Sequence, residues 1–329
     1  MAGISSLWIH MLTSVGAFTF LFTAYFIIRF LTFHLTKPSH SLQSYTRAGP
    51  EPAYALITGS SAGIGLGVAQ AVVKEGFAVI LLGHLPDELA EAKITLQRLR
   101  PDIVVRILVI DARTASPKDI DSAVQSIADL EVSILVNNVG GYPVKLPIYR
   151  ALATYSSEDV DAFINMNARF MAHLTALMLP ILSRKPRTKD RSLILNISSG
   201  GMVGVPWAVM YGATKAFNWG FSCGLARELK ASPETNHIDC LAIIPGEVRT
   251  QLNPDVPDSE PSWDHFGQCV VDKVDIALSR GQRDMCPFMM HDMKIRIGAI
   301  LPEGLKTAAL TDVMRKKRNT FSTAYEKSR

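Results

Sequence analysis

A short apolar run, Tyr54-Ala55-Leu56-Ile57, leads directly into Thr58-Gly59-Ser60-Ser61-Ala62-Gly63-Ile64-Gly65 and then into a stretch of helical spacing that stops at Gly76. Few features constrain a fold more than a strand, a glycine turn and a helix in that order. Glycines at 59, 63 and 65 permit a tight turn, and the helix behind them presents unpaired N–H groups and its positive dipole end. That opening suits a pyrophosphate. A lone glycine turn is a weak signal, because glycine also punctuates loops. Further apolar runs at 77–82, 103–110 and 133–136 recur at the spacing of βα units, which predicts an α/β chain with a doubly wound parallel sheet and helices on both faces.

Ahead of this unit, residues 7–28 contain no Asp, Glu, Lys or Arg. As a helix they would rise ~33 Å, against a hydrocarbon core of roughly 30 Å. A cleaved leader is the competing reading, but its apolar region runs about 7–15 residues after a basic start. No Lys or Arg precedes this run, so one N-terminal transmembrane helix is expected, in an anchor of residues 1–36. Arg29, Lys37 and Arg47 lie on its C-terminal side, so the positive-inside bias puts the remainder in the cytosol. Residues 37–52, with three prolines and a glycine, read as a linker, 53–318 as the domain and 319–329 as a polar tail.

Lys and Arg number 34 against 30 Asp and Glu, a formal charge of +4. No large basic region interleaves with aromatics, so a nucleic-acid partner is not expected. Cys223, Cys240, Cys269 and Cys286 lack ligand or disulfide-framework spacing, which predicts reduced thiols and no metal site.

Residues 191–197 form another apolar run that ends in Ser198-Ser199, and Tyr211-Gly212-Ala213-Thr214-Lys215 opens a helix soon after. Tyr and Lys four apart share a helix face. A free tyrosine, with a pKa of about 10, is a poor acid–base group near neutrality; reaching about 7 takes about 4 kcal/mol of help from a neighbour such as an ammonium. A serine hydroxyl can hold a substrate oxygen beside that phenol. Alone, Tyr-x-x-x-Lys is an ordinary surface pair. After a strand ending in Asn-x-Ser-Ser it points to catalysis.

The spacing T-G-x-x-x-G-x-G resembles the short-chain dehydrogenase/reductase family, and the resemblance repeats at Asp111 and in Asn137-Asn138-Val139-Gly140. It covers about residues 53–271. It implies a Rossmann-like fold, a nicotinamide dinucleotide cofactor, and a catalytic set of Asn167, Ser199, Tyr211 and Lys215. Asn167 would support a water relay behind the lysine, with Asn165 the lesser claimant. Cofactor contacts are implied for Ile57, Gly59, Ser61, Gly63, Ile64, Gly65, Asp111, Asn138, Tyr211, Lys215, Val248 and Thr250. Counting back from Tyr211 selects Ser198 as the catalytic serine, whereas counting forward from Asn196 selects Ser199. Strand register is stiffer than a loop, so Ser199 is chosen. Leu82-Gly83-His84 has no acid to grip a ribose 2′-hydroxyl, which favours NADP(H) over NAD(H).

The Asn-Asn-Val-Gly turn, the N-terminal anchor and Leu301-Pro302-Glu303-Gly304-Leu305 before a basic run are similar to the very-long-chain 3-oxoacyl-CoA reductase and 17β-hydroxysteroid dehydrogenase branch. Asp292, Lys294 and Arg296 depart from that branch's apolar pattern, and the C-terminus carries no di-lysine signal. The resemblance implies reduction of a lipophilic ketone to a secondary alcohol at a membrane, most simply that of the endoplasmic reticulum. It also implies a homo-dimer or tetramer through the helix carrying Tyr211. A reductase or alcohol dehydrogenase of a lipophilic natural product stays open beside it, as does a membrane-tethered NADP(H)-binding protein without turnover.

Overall fold

A computed structural model describes residues 2–36, 42–47, 52–184, 190–251, 253 and 256–327. Of the expected linker and tail, 37–41, 48–51 and 328–329 lie outside the described residues. The chain divides into two units, Met1–Ser39 and His40–Arg329.

The first unit is one helix, α1 (Ala2–Leu35), whose part Trp8–Leu35 has a mean hydropathy of 1.8 and is long and apolar enough to cross a membrane. Phe18, Phe20, Leu21 and Ile28 are exposed along it. Thr13, Thr19 and Thr32 donate their hydroxyls to carbonyls four residues back, at 2.8, 2.8 and 2.7 Å. Hydrocarbon demands that kind of internal satisfaction.

The second unit opens with β1 (Tyr54–Thr58), α2 (Gly63–Lys74), β2 (Ala78–Gly83), α3 (Pro86–Leu99) and β3 (Val105–Val109). It continues through α4 (Pro117–Gln125), β4 (Val132–Asn137), α5 (Ser157–Ile164), a π-helical turn (Asn165–Arg169), α6 (Phe170–Leu182) and β5 (Ser192–Ile197). It closes with α7 (Val209–Ala231), β6 (Ile238–Ile243), α8 (Trp263–Ser279), β7 (Asp284–Met285), α9 (Met289–Ile300) and α10 (Glu303–Lys327). All seven strands pair in parallel, in the order β3-β2-β1-β4-β5-β6-β7. The order reverses between β1 and β4, and the crevice at the C-terminal ends of these two strands is where such a sheet binds ligands.

Every residue of β1, β2, β4, β5 and β6 is buried, as central strands covered on both faces must be. The edge strand β3 exposes Arg106 and Val109. Gly67 of α2 lies backbone to backbone against α8: a Cβ there would come 2.2 Å from the Trp263 carbonyl oxygen, and one on Gly267 2.1 Å from the Gly67 carbonyl carbon. That crossing fixes α2, and with it the glycine turn at its start.

Two boundaries differ from the sequence reading. Residues 42–47 pack on the domain although they read as linker: Leu42 and Tyr45 are buried, the Tyr45 hydroxyl donates to Asp239 at 2.9 Å, and Arg47 donates to the Arg191 carbonyl at 2.7 Å. The apolar periodicity that would announce such docking needs a longer segment than these few residues. Likewise α10 runs on past 318 to Lys327, since no proline or glycine after Gly304 stops it.

Candidate active site

The glycine turn is braced from the neighbouring strand. Asn138 follows β4 and donates its amide to the carbonyls of Thr58 and Gly59, both at 3.0 Å, while its backbone N–H reaches the Thr58 hydroxyl at 2.9 Å. Gly59 and Gly63 hold φ of 60° and 56°, in the region open chiefly to glycine. A Cβ on Gly65 would stand 2.2 Å from the Gly59 carbonyl and 2.5 Å from the Asn138 amide. Ala62, the N-cap of α2, offers no side-chain hydrogen bond to the first turn, which leaves that turn's donors to a ligand. Thr250 comes alongside, its methyl 3.5 Å from the position of a Gly63 Cβ. Val248 is nearly buried, and Ile64 is partly so.

Ile57 has no exposed surface within β1. The Ser61 hydroxyl donates to Glu88 of α3 at 3.0 Å, which ties the turn to the next helix. Asp111 is gripped by Arg113 through both Nε, at 3.1 Å, and a terminal nitrogen, at 2.8 Å. The Arg113 hydrogen bond holds the Asp111 carboxyl below its usual range, with His84 adding a smaller positive influence. Arg113 therefore places a guanidinium beside Asp111, just after β3.

The reactive groups gather at the adjoining strand end. Tyr211 lies in the first turn of α7, with the Lys215 ammonium 5.8 Å from its ring centre. Lys215 is buried, donates to the Ile197 carbonyl at 2.9 Å, and is pulled down to about 8 by desolvation. Burial raises the Tyr211 phenol, and a hydrogen bond with the Ser199 side chain opposes that rise. The two serines point to different sides, as alternation along a strand requires. Ser199 meets Tyr211 and accepts from the Gly201 N–H at 3.1 Å, whereas buried Ser198 donates to the Lys215 carbonyl at 2.7 Å.

Asn167 sits in the π turn, a departure from α-helical winding found often at functional sites. Its amide donates to the Gly141 carbonyl at 3.0 Å and to the Thr214 hydroxyl at 3.1 Å, and its oxygen accepts from the Gly141 N–H at 2.9 Å. Asn165 faces elsewhere, accepting from Arg169 at 2.8 Å. A Cβ on Gly140 would come 2.7 Å from the Lys215 nitrogen and 3.4 Å from the Asn167 oxygen, so the Asn-Asn-Val-Gly turn is pressed against both.

Several neighbours of this set carry no sequence signal of their own. Tyr142 stacks on Tyr211, and Tyr149, Ala208 and Met314 of α10 form a buried cluster against Tyr142, Val205, Trp207 and Tyr211. The Arg318 guanidinium lies 5.4 Å from the centre of the Trp207 ring, and Lys317 pairs with Glu247 at 2.9 Å. Tyr142 stands two residues after the Gly140 motif position and was findable by adjacency. Met314 was not, because only the fold brings α10 to the site.

A parallel sheet reversing at a braced glycine turn, with tyrosine, lysine and serine at the next strand end, defines a dinucleotide-binding oxidoreductase architecture. The family model described as short chain dehydrogenase matches residues 53–261, and the chain belongs to that family. It is 30% identical over 196 residues to a very-long-chain 3-oxoacyl-CoA reductase of Coccidioides immitis, covering 59% of this chain and 53% of that one. A Danio rerio very-long-chain 3-oxoacyl-CoA reductase-B is 32% identical, with 63% of each covered. The Rattus norvegicus reductase of the same name is 27% identical over 82% of this chain and 81% of its own. The chain thus spans only about half the length of the first of these relatives. Among solved structures, an actinorhodin polyketide ketoreductase with NADPH aligns at a TM-score of 0.60, 22% identity, 71% of this chain and 96% of that one. A Sphingobium yanoikuyae short-chain dehydrogenase with NADPH gives 0.59, 22%, 76% and 97%. Likeness at that identity establishes the fold.

Proposed function

We propose that this chain is an NADP(H)-dependent reductase of a lipophilic ketone, 3-oxoacyl or ketosteroid-like, with Tyr211 as proton donor. The observation that carries the reading is the placing of the Ser199 hydroxyl and the Tyr211 ring against one glycine, 3.5 and 3.6 Å from the position of a Gly201 Cβ, with buried Lys215 one helical turn on from Tyr211. The glycine turn fits a dinucleotide: the contacts a Cβ at Gly65 would make leave no side chain there, and the start of α2 lacks a side-chain cap. Gly59, Ser61, Gly63, Ile64 and Gly65 would line the pyrophosphate, Asp111 and Asn138 the adenosine side, and Val248 and Thr250 the carboxamide. The 2′-phosphate is favoured by the Arg113 guanidinium and by the absence of an acid in Leu82-Gly83-His84. When bound, the cofactor supplies the hydride that reduces the carbonyl carbon.

The protein's own part is the proton. Ser199 steadies the substrate oxygen, and Tyr211 gives that oxygen its phenolic proton as the alcohol forms. The phenolate left behind is stabilised by the Lys215 ammonium, which would otherwise gain nothing from its desolvated position. Asn167 fixes the Gly140–Gly141 backbone and Thr214 around that lysine. NADPH consumption by the detergent-solubilised chain, assayed over a panel of ketones, tests the reading; tight NADPH binding with no turnover on any of them would favour the non-catalytic alternative.

The apolar α1 supports membrane attachment, which would concentrate the enzyme where a lipophilic substrate dissolves. Arg29, Lys37 and Arg47 after it, together with four free cysteines, support a cytosol-facing domain on the endoplasmic reticulum. Exposed Phe217 and Trp219 on α7 support pairing with a second copy.

A further inference from the structure

The loop of residues 245–250 is clamped from α9. The Gly246 N–H donates to Nδ1 of His291 at 3.1 Å, and Nε2 of the same ring meets the Glu260 carboxylate at 2.9 Å. These two bonds assign the tautomer. Nδ1 receives a proton donor and is bare; Nε2 faces an acceptor and carries the hydrogen. The fit is close as well, since a Cβ on Gly246 would fall 2.6 Å from His291 Cδ2. His291 is 1% exposed and Glu260 9%. On its far side the loop reaches the catalytic strand end, where the Pro245 carbonyl accepts from the Gly200 N–H at 2.8 Å, next to Ser199.

We propose that His291 is a positioning residue that holds the 245–250 loop in its cofactor-binding shape only while its imidazole is neutral, so that cofactor affinity falls when the ring gains a proton. This rests on the reading of that loop as a cofactor contact. Proton addition at Nδ1 turns an acceptor into a donor aimed at another donor, and the Gly246 bond is lost. Charge balance is simple, because the proton comes from water and no other bond changes.

The groups facing the ring set where this happens. Burial disfavours the imidazolium most; Glu260 and the Glu247 backbone favour it, and Lys294 opposes it, for a net shift below the ordinary imidazole value. Lys294 is itself bonded to Glu260. Asp292, the next residue, is engaged by Arg296 at 2.8 Å, and the rings of Phe288 and Phe266 complete the surroundings without charge.

The test is NADPH affinity of the full chain in detergent, read by fluorescence from about pH 5 to about pH 8, for the wild type and for His291→Asn. The asparagine oxygen can take the place of Nδ1 as acceptor and does not titrate. The two proteins should bind alike at the alkaline end, and at the acid end the wild type should lose roughly fivefold more affinity, the worth of one hydrogen bond. Every other group, on the protein and on the cofactor, is the same in both proteins, so the difference isolates His291. His291→Ala should bind weakly at every pH, with thermal melting checked for all variants. Glu260→Gln should move the wild-type acid limb to lower pH. Identical pH profiles for the wild type and His291→Asn, or an unmoved limb in Glu260→Gln, would overturn the inference while leaving the cofactor reading intact. No NADPH binding by the wild type at any pH would overturn both.

Discussion

The ring of Tyr142 lies on that of Tyr211, centroids 4.6 Å apart and planes 16° from parallel. Tyr149 meets Tyr142 edge-on at 5.3 Å and Phe163 does so at 5.9 Å, so the stack is held from behind. One face of the proposed proton donor is thereby closed to water and to substrate, which must approach from the Ser199 side. Tyr142→Phe keeps the ring and should retain near-wild-type kinetics. Tyr142→Ala should lower kcat/KM on a small ketone by roughly two- to tenfold, the worth of an aromatic pair. Steady-state kinetics on both variants checks this, and equal values for the two would deny the stack any role.

Ser198 and Ser199 should separate by readout. Ser199→Ala removes the hydroxyl beside the phenol and should cost turnover with little loss of stability. Ser198→Ala removes the bond to the Lys215 carbonyl and should cost about 1 kcal/mol of stability, with a smaller loss of turnover. Paired melting curves and rate measurements decide it.

That pair shows what the sequence could and could not reveal. The glycine turn, Tyr211 with Lys215, and the strand register from Asn196 to Ser199 are local patterns, readable because strand and helix periodicities fix which side chains share a face. Residues 42–47, His291 and Met314 act through partners distant in the chain, as Tyr45 does with Asp239. No local pattern announces such contacts.

Activity should fall as pH rises through about 8, where desolvated Lys215 loses the proton that stabilises the phenolate. Stability from this group runs the other way. The unfolded lysine titrates at 10.5 and the folded one at about 8, so between those values the unfolded state holds the extra proton and stability rises with pH; below about 8 the contribution is flat. Comparing wild type with Lys215→Met in a pH series of melts and rates should show both trends, and a rate profile flat across about 8 would contradict the first.

Two truncations should differ. Removing residues 1–36 leaves the His40–Arg329 unit with its own contacts and should yield a folded domain. Removing 1–52 also strips buried Leu42 and Tyr45 and the Arg47 bonds, and should lower the melting temperature by about 5–10 °C. Equal melting temperatures would show that residues 42–47 contribute nothing.

The central claim is that Tyr211 delivers the proton to a ketone. The most direct measurement is single-turnover NADPH oxidation by Tyr211→Phe with a ketone the wild type reduces, alongside NADPH affinity of both proteins. The rate should drop by about 10²–10⁴, with affinity nearly unchanged, because the variant loses only the transferable hydroxyl. A Tyr211→Phe protein that binds NADPH normally and reduces the ketone at the wild-type rate would contradict the account.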